Sequence, residues 1–460
     1  MDTVRTWWRR LAPRHLILLV PWIGIVRAAA KPIADNSFLW HVRAGTLQLD
    51  LGHVLTTDPF SFTMHGAPWR TQSWLVELGY GLLERWTGGL GWVRFELVVI
   101  ASLTYLLLTL LVYRKCRNLL ATGLLMAAFT WLALAFEVPR PVLFSGLFLA
   151  MLVAVLDDDL LWPVPLLMWV WAAVHGSWIL GIGYVVLHSL ATRRSRRRTA
   201  EVLGVSLVAV SVTAQGLGVW QILWEFFRNR DALSYISEWA TPDVLSIQLI
   251  PYLLVLLLLM VAATRGHLAT RALWIVLPFF VFGLSAGRSL YPAMLVLMPF
   301  ASMGWPERWR WREARSSPRE AVLNLIAATV LVMVPLVILA GASSGVDPKR
   351  FPVTASKYLA PGPAWTDDGT GGYLIYSEWP QREVFIDDRA ELYGATMLGE
   401  FVDSRRGAPE WQDVMAKYDI KQALVGAHEG LVRALRDAGW VVRYEEADRW
   451  VVLTAPQEGF

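Results

Sequence analysis

Apolar residues run in long unbroken stretches through the first three quarters of the chain and break into short ones after Gly341. Segments long enough to cross, or nearly cross, a hydrocarbon layer of about 30 Å fall at 15–31, 92–113, 119–136, 142–156, 160–175, 177–191, 201–216, 247–264, 271–287, 289–303 and 321–341. The pattern predicts an α-helical polytopic membrane protein of about eleven spans. Several segments hold only about 15 residues against the ~20 of a full crossing, so they lie in a thin region, are shielded by neighbours, or are half-helices that turn back. In the first loop, SWLVELGYGLLERW sets Trp74, Leu75, Leu78, Leu82 and Trp86 at helical spacing with Glu77 and Arg85 elsewhere. That spacing predicts an amphipathic helix on the membrane surface, either an ordinary cap or a cradle for a lipid substrate.

After Gly341 the charge density rises, and GGYLIY, REVFID, KQALVG, WVVRYEE and RWVVLTA read as short strands between helical stretches at 409–418 and 429–438. The expected organisation is a transmembrane domain, 1–341, with a large outer loop, 32–90, followed by a small soluble α/β domain, 342–460. GTGGY lacks the spacing and the following helix of a phosphate-cradling loop, which argues against nucleotide binding in the tail. No internal repeat of the inverted-repeat transporter kind is visible.

Composition agrees with a membrane protein: 55% of residues are hydrophobic, 17% are charged and mean hydropathy is +0.42, which excludes a cytosolic enzyme as the default. A net charge of only +4 argues against nucleic acid as a partner. The single cysteine, Cys116, excludes an intramolecular disulfide and a cysteine-based zinc site. The 25 tryptophans suit a chain with many membrane–water boundaries.

Where the basic residues sit matters more than their sum. Arg5, Arg9, Arg10 and Arg14 precede the first span and Arg114, Lys115 and Arg117 follow the second; then come 193–198, Arg265 with Arg271, and Arg308, Arg310, Arg312, Arg315 and Arg319. Across eleven spans all of these fall on one side, which the positive-inside rule makes cytoplasmic. The N-terminus is then inside, and the 32–90 loop, the 217–246 loop and the tail are outside. The basic, apolar N-terminus also fits a signal peptide, but Lys31-Pro32 directly after the small residues favours an uncleaved first span.

With sidedness fixed, the unusual polar residues near span ends gather on the outer face: Asp35, His41, Asp58, Glu77, Glu137, Arg140, His175, Glu238 and Arg288. Ionisable groups at membrane depth are costly, so Glu137, Arg140, His175 and Arg288 face a cavity or pair with one another, unless the arginines merely snorkel to headgroups. His175 is either a packing histidine or a ligand or proton carrier. Asp35 follows the first span directly; its carboxylate is a helix N-cap, a base for a hydroxyl nucleophile, or a ligand for a divalent cation. Asp157, Asp158 and Asp159 read as a solvated turn, since consecutive helical residues point different ways.

Several of these stretches share a wider likeness. DNSFLWHVRAG, TTDPFSFT and WRTQSWLVELGYGLL resemble the first outer loop of a large set of bacterial multi-pass proteins grouped with the GT-C-fold glycosyltransferases. The resemblance continues in PRPVLFSGLF at Arg140-Pro141, VHGSWILG at His175-Gly176, ISEWATPD at Glu238-Trp239 and FGLSAGRSLYPAMLVLMP at Arg288. It closes with GGYLIYSEWPQREVFIDDRAELYG at Gly372, Asp387, Arg389 and Tyr393, so it covers nearly the whole chain. Two departures are Ala173, where members often carry Asn, and QGLG at Gln215 to Gly218 in place of Asn-Pro-x-Gly; both put the acceptor site in doubt.

The resemblance implies a GT-C-like enzyme of the bacterial cytoplasmic membrane that moves a sugar from a polyprenyl-phosphate carrier to an extracytoplasmic acceptor (a cell-envelope glycan, lipid or protein). Asp35 would take the acceptor's proton, and Arg288 and Arg140 would neutralise the departing lipid phosphate. A Mg²⁺ or Mn²⁺ between Asp35 and the phosphate is a variant of the same chemistry. The competing class is non-enzymatic: a lipid or polysaccharide transporter, or a membrane scaffold.

Overall fold

The computed structural model describes residues 12–228, 237–243, 245–306, 317–343, 345–446 and 448–456. Arg5, Arg9, Arg10, Arg308, Arg310, Arg312 and Arg315 of the expected cytoplasmic clusters lie outside the described residues, as does part of the 217–246 loop. The chain is mostly helical and divides into two compact units. The first comprises Met1–Lys31, Gly91–Thr213 and Glu238–Ser343; the second comprises Pro32–Leu90, Ala214–Ser237 and Ser344–Phe460.

Each apolar segment of the first unit contains a helix. Among the described residues three are long and apolar enough to cross a membrane: Val93–Cys116, Ile247–Thr264 and Pro318–Gly341. Others, such as Val164–Val174 and Trp178–Thr192, are shorter. At 1.5 Å per residue, 11 residues reach roughly 16 Å. Local chemistry sets the helix starts: Asn118 Oδ1 accepts from the amides of Leu120 and Ala121, at 3.1 and 3.2 Å. Ser317 and Glu320 cap each other's backbone amides. Leu290–Ala301 is apolar all round and buried nearly throughout, packed by Val93–Cys116, Val142–Asp157, Ile250–Thr264 and Leu273–Ser285. By contrast, Pro318–Gly341 packs mainly on Val20–Ala29 and exposes Leu323, Ile326, Val330 and Val337, as a helix facing hydrocarbon does.

The second unit gathers stretches that the sequence reading held apart, since 32–90 and 344–460 fall in one compact body. Its sheet has the order β1-β2-β4-β3, from Trp365–Thr366 (β1), Gln422–Gly426 (β2), Val441–Glu446 (β3) and Trp450–Thr454 (β4). β1 runs parallel to β2 and the other pairs are antiparallel. The central strands β2 and β4 are apolar and buried, while β3 carries Arg443, Glu445 and Glu446 on the exposed edge, which discourages further pairing. KQALVG, WVVRYEE and RWVVLTA are thus strands. GGYLIY is not: it lies in the helix Asp368–Glu378, started by Asp367, whose side chain accepts from Gly369 N. REVFID is not a strand either, and makes only a single parallel bridge, Val384 to Ser61. Both runs are buried without alternation, so periodicity could not tell them from strands.

Two helices of this unit, Asn36–Leu51 and Trp74–Thr87, cross at Gly45 and Gly81. A Cβ on Gly81 would lie 2.5 Å from the Gly45 carbonyl carbon, so nothing larger than hydrogen fits. The face of Trp74–Thr87 that this crossing buries is Val76, Glu77, Tyr80 and Gly81. Glu77 is therefore interior rather than on the polar side, and the apolar residues Leu82 (56% exposed) and Trp86 (84%) point outward. Gly81→Ala should lower the melting temperature of the purified protein by several degrees, an overpacking cost of about 1–3 kcal/mol. Gly79→Ala, on the same helix with open space around it, should leave it unchanged or raise it slightly. Equal effects from the two substitutions would refute the close crossing.

Candidate functional site

In the second unit Asp35 is the N-cap of Asn36–Leu51: it is extended, buried, and its Oδ1 accepts from Phe38 N at 2.9 Å. The next residues tie this helix start to the tail. Asn36 Nδ2 donates to the Asp368 carbonyl at 2.9 Å and its Oδ1 accepts from Tyr373 N at 3.2 Å. Ser37 Oγ donates to Asp388 Oδ2, and Trp40 Nε1 to Asp388 Oδ1 at 2.8 Å. Gly372 permits the crossing, because a Cβ there would lie 2.1 Å from the Asn36 carbonyl oxygen. Burial, reinforced by Asp367, pushes the Asp368 carboxyl above the usual carboxylate range.

His41 and Glu77 are brought together. The Glu77 carboxylate accepts from His41 Nδ1 at 2.7 Å, from Gln48 Nε2 at 2.7 Å and from the Thr71 hydroxyl. With three donors Glu77 is a satisfied interior anion, and it fixes the proton of His41 on Nδ1.

Asp58 lies in the most buried ion-pair network of this unit. Arg389, 1% exposed, donates from Nε to Asp387 Oδ1 at 2.8 Å and from Nη2 to Asp387 Oδ2 at 2.6 Å. Its Nη1 lies 2.8 Å from Asp58 Oδ1 with the N–H directed off the oxygen, an ion pair rather than a directed hydrogen bond. Tyr393 donates to Asp387 Oδ2 at 2.8 Å, and Asp58 also accepts from the amides of Phe60 and Ser61. The guanidinium lies over the rings of Trp69, Phe60 and Trp40, at 4.5, 5.3 and 5.6 Å. Burial alone would lower the pKa of Arg389, but Asp387 and Asp58 outweigh it and hold the group charged.

In the first unit the expected phosphate ligands converge on one short segment. Arg140 Nη1 pairs with Glu238 Oε1 at 3.1 Å, and the Arg288 guanidinium sits 4.5 Å over the ring of Trp239. Gly287 N donates to the Ala240 carbonyl at 2.9 Å, which fixes the Arg288 turn against the same segment. Glu137 does not pair with Arg140: it is buried, accepts from the Tyr105 hydroxyl, and its Oε2 has no partner among the described residues. His175 ends Val164–Val174; its Nδ1 lies 3.1 Å from Ser177 N and 2.9 Å from Ser177 Oγ. Ser177 Oγ in turn donates to Ser145 Oγ at 2.7 Å.

Asp35, His41, Asp58 and Glu77 thus belong to the second unit, and Glu137, Arg140, His175, Glu238 and Arg288 to the first. Tyr105, Ser145 and Asp388 were not singled out from the sequence. Asp388 alone had a local signal, the paired acids of FIDDRAEL. No group of three or more His, Cys, Asp or Glu that could hold a metal occurs among the described residues.

No known family model matches this chain, and no curated protein matches it either.

Removing the Arg389 charge should be far costlier than a surface change, because two buried carboxylates lose their cation. Arg389→Leu should cost about 3–5 kcal/mol, and Arg389→Lys should recover little, since an ammonium lacks the fork that spans Asp58 and Asp387. Thermal melts read by intrinsic fluorescence measure this; an Arg389→Leu protein that melts with the wild type would contradict it.

Proposed function

We propose that this chain is a GT-C-type membrane glycosyltransferase that moves a sugar from a polyprenyl-phosphate carrier to a hydroxyl acceptor outside the cytoplasm. It would act in the bacterial cytoplasmic membrane with about eleven spans. One observation carries the reading: Arg140 and Arg288, far apart in sequence, contact the adjacent residues Glu238 and Trp239 respectively. Two guanidiniums on one short segment offer forked donors matched to phosphate oxygens, which supports a phosphate-bearing donor. The membrane-spanning helices and the Leu82–Trp86 face suit a carrier with a long apolar chain.

In the proposed step the acceptor oxygen bonds to the anomeric carbon while the bond from that carbon to the phosphate oxygen breaks. The polyprenyl phosphate leaves with the electron pair, stabilised by the arginines. The hydroxyl proton is assigned to Asp35 on chemical grounds, and no metal takes part in the step as written.

Asp35 allows a clean test, because Asn caps a helix as well as Asp does but cannot take the proton. Asp35→Asn should fold normally and lose about 10²–10⁴-fold in transfer, measured with radiolabelled polyprenyl-phosphate sugar in membranes. Retained transfer would reduce Asp35 to its capping role. Arg288→Ala should lose roughly ten- to a hundred-fold, with Arg288→Lys restoring only part. The proposed orientation is tested separately: alkaline phosphatase fused after Phe460 should be active, and a bright fluorescent fusion there would reverse the topology.

A further inference from the structure

A cavity of about 250 Å³ opens among four helix ends of the first unit, lined by Lys115, Cys116, Asn118, His267 and Ser302 among others. Cys116 ends Val93–Cys116 and Asn118 caps Leu119–Ala133; His267 follows Ile250–Thr264, and Ser302 follows Leu290–Ala301. Val93–Cys116 has 24 apolar-rich residues, so its end lies where a crossing helix reaches the headgroup layer. The cavity is smaller than the roughly 300–1,000 Å³ of sites for drug-sized ligands, a size that suits a headgroup.

Among the described residues, basic side chains lie close in sequence to the lining. Arg117 lies between two lining residues and Arg265 lies two before His267; both are exposed, and neither is held in an ion pair among the described residues. Among the described residues three acids of this end are matched, Asp157 to Lys115, Asp158 to Arg114 and Asp159 to Arg194. Lys115 spends one of its three N–H donors on Asp157 at 2.5 Å. Cys116 Sγ, Asn118 Oδ1 and Ser302 Oγ bond within the protein, so the lining polar groups are held in place.

We propose that this cavity holds the phosphate headgroup of an anionic phospholipid, bound through Lys115, which lines it, with Arg117 and Arg265, close in sequence to lining residues, adding positive charge. Cationic pockets between helices at the membrane boundary recognise such headgroups through charge at short range. The site is built from residues outside the proposed transfer chemistry and does not rest on that reading.

Native mass spectrometry of the detergent-purified protein, titrated with phosphatidylglycerol or phosphatidylcholine of the same acyl chains, tests it. The wild type should bind phosphatidylglycerol preferentially, and millimolar inorganic phosphate should compete with it. Each of Lys115→Gln, Arg117→Gln and Arg265→Gln should weaken phosphatidylglycerol binding roughly fivefold and leave phosphatidylcholine unchanged. If Lys115→Gln fails to fold because Asp157 loses its partner, the Arg117→Gln/Arg265→Gln double variant, which breaks no ion pair, still decides. Equal binding of the two lipids, or a preference that survives the double variant, overturns the proposal. So does binding of inorganic phosphate without any lipid preference, which would assign the cavity to a soluble anion.

Discussion

One buried guanidinium constrains the whole second unit. Arg389 is enclosed by three aromatic rings and neutralised by Asp58 and Asp387, which come from opposite ends of the sequence. An unpaired charge in such a place costs several kcal/mol, so neither the first loop nor the tail can leave the other without exposing the fold to that penalty. The surplus negative charge is spread over the amides of Phe60 and Ser61 and the Tyr393 hydroxyl. Around this network the remaining loop–tail contacts follow: Val384 lies between the backbones of Phe60 and Phe62, and Asn36 clasps the start of Asp368–Glu378.

This arrangement gives a physical reason for the tail residues Gly372, Asp387, Arg389 and Tyr393. Gly372 makes room for the Asn36 carbonyl, and the other three form the interior ion network. Gly372 against Asn36 and Arg389 against Trp40 tie the tail to the helix that Asp35 starts. A base offered by Asp35 would depend on that support, since its helix is bound to the tail through Asn36, Ser37 and Trp40.

What the sequence made legible follows from range. Long apolar runs are short-range signals: each run read as a span in the first unit contains a helix, and three short runs near the C-terminus are strands. GGYLIY reads as a strand because an unbroken buried run carries no period, whereas the Asp367 cap starts a helix there. Glu77 was placed on the polar face because its partners His41, Gln48 and Thr71 come from other segments. The convergence of Arg140 and Arg288 on Glu238 and Trp239 was equally beyond local reading: the resemblance marked these residues, and only the fold brought them to one segment.

Whether the two arginines serve a lipid-linked sugar donor, as proposed, is decided by a donor comparison. Purified protein in liposomes would be given the same radiolabelled sugar either as its polyprenyl phosphate or as its nucleotide form, with and without Arg140→Ala and Arg288→Ala. Transfer is expected from the polyprenyl-phosphate donor alone, sharply reduced in both variants. Transfer from the nucleotide sugar alone, or transfer from either donor that ignores both substitutions, would contradict it.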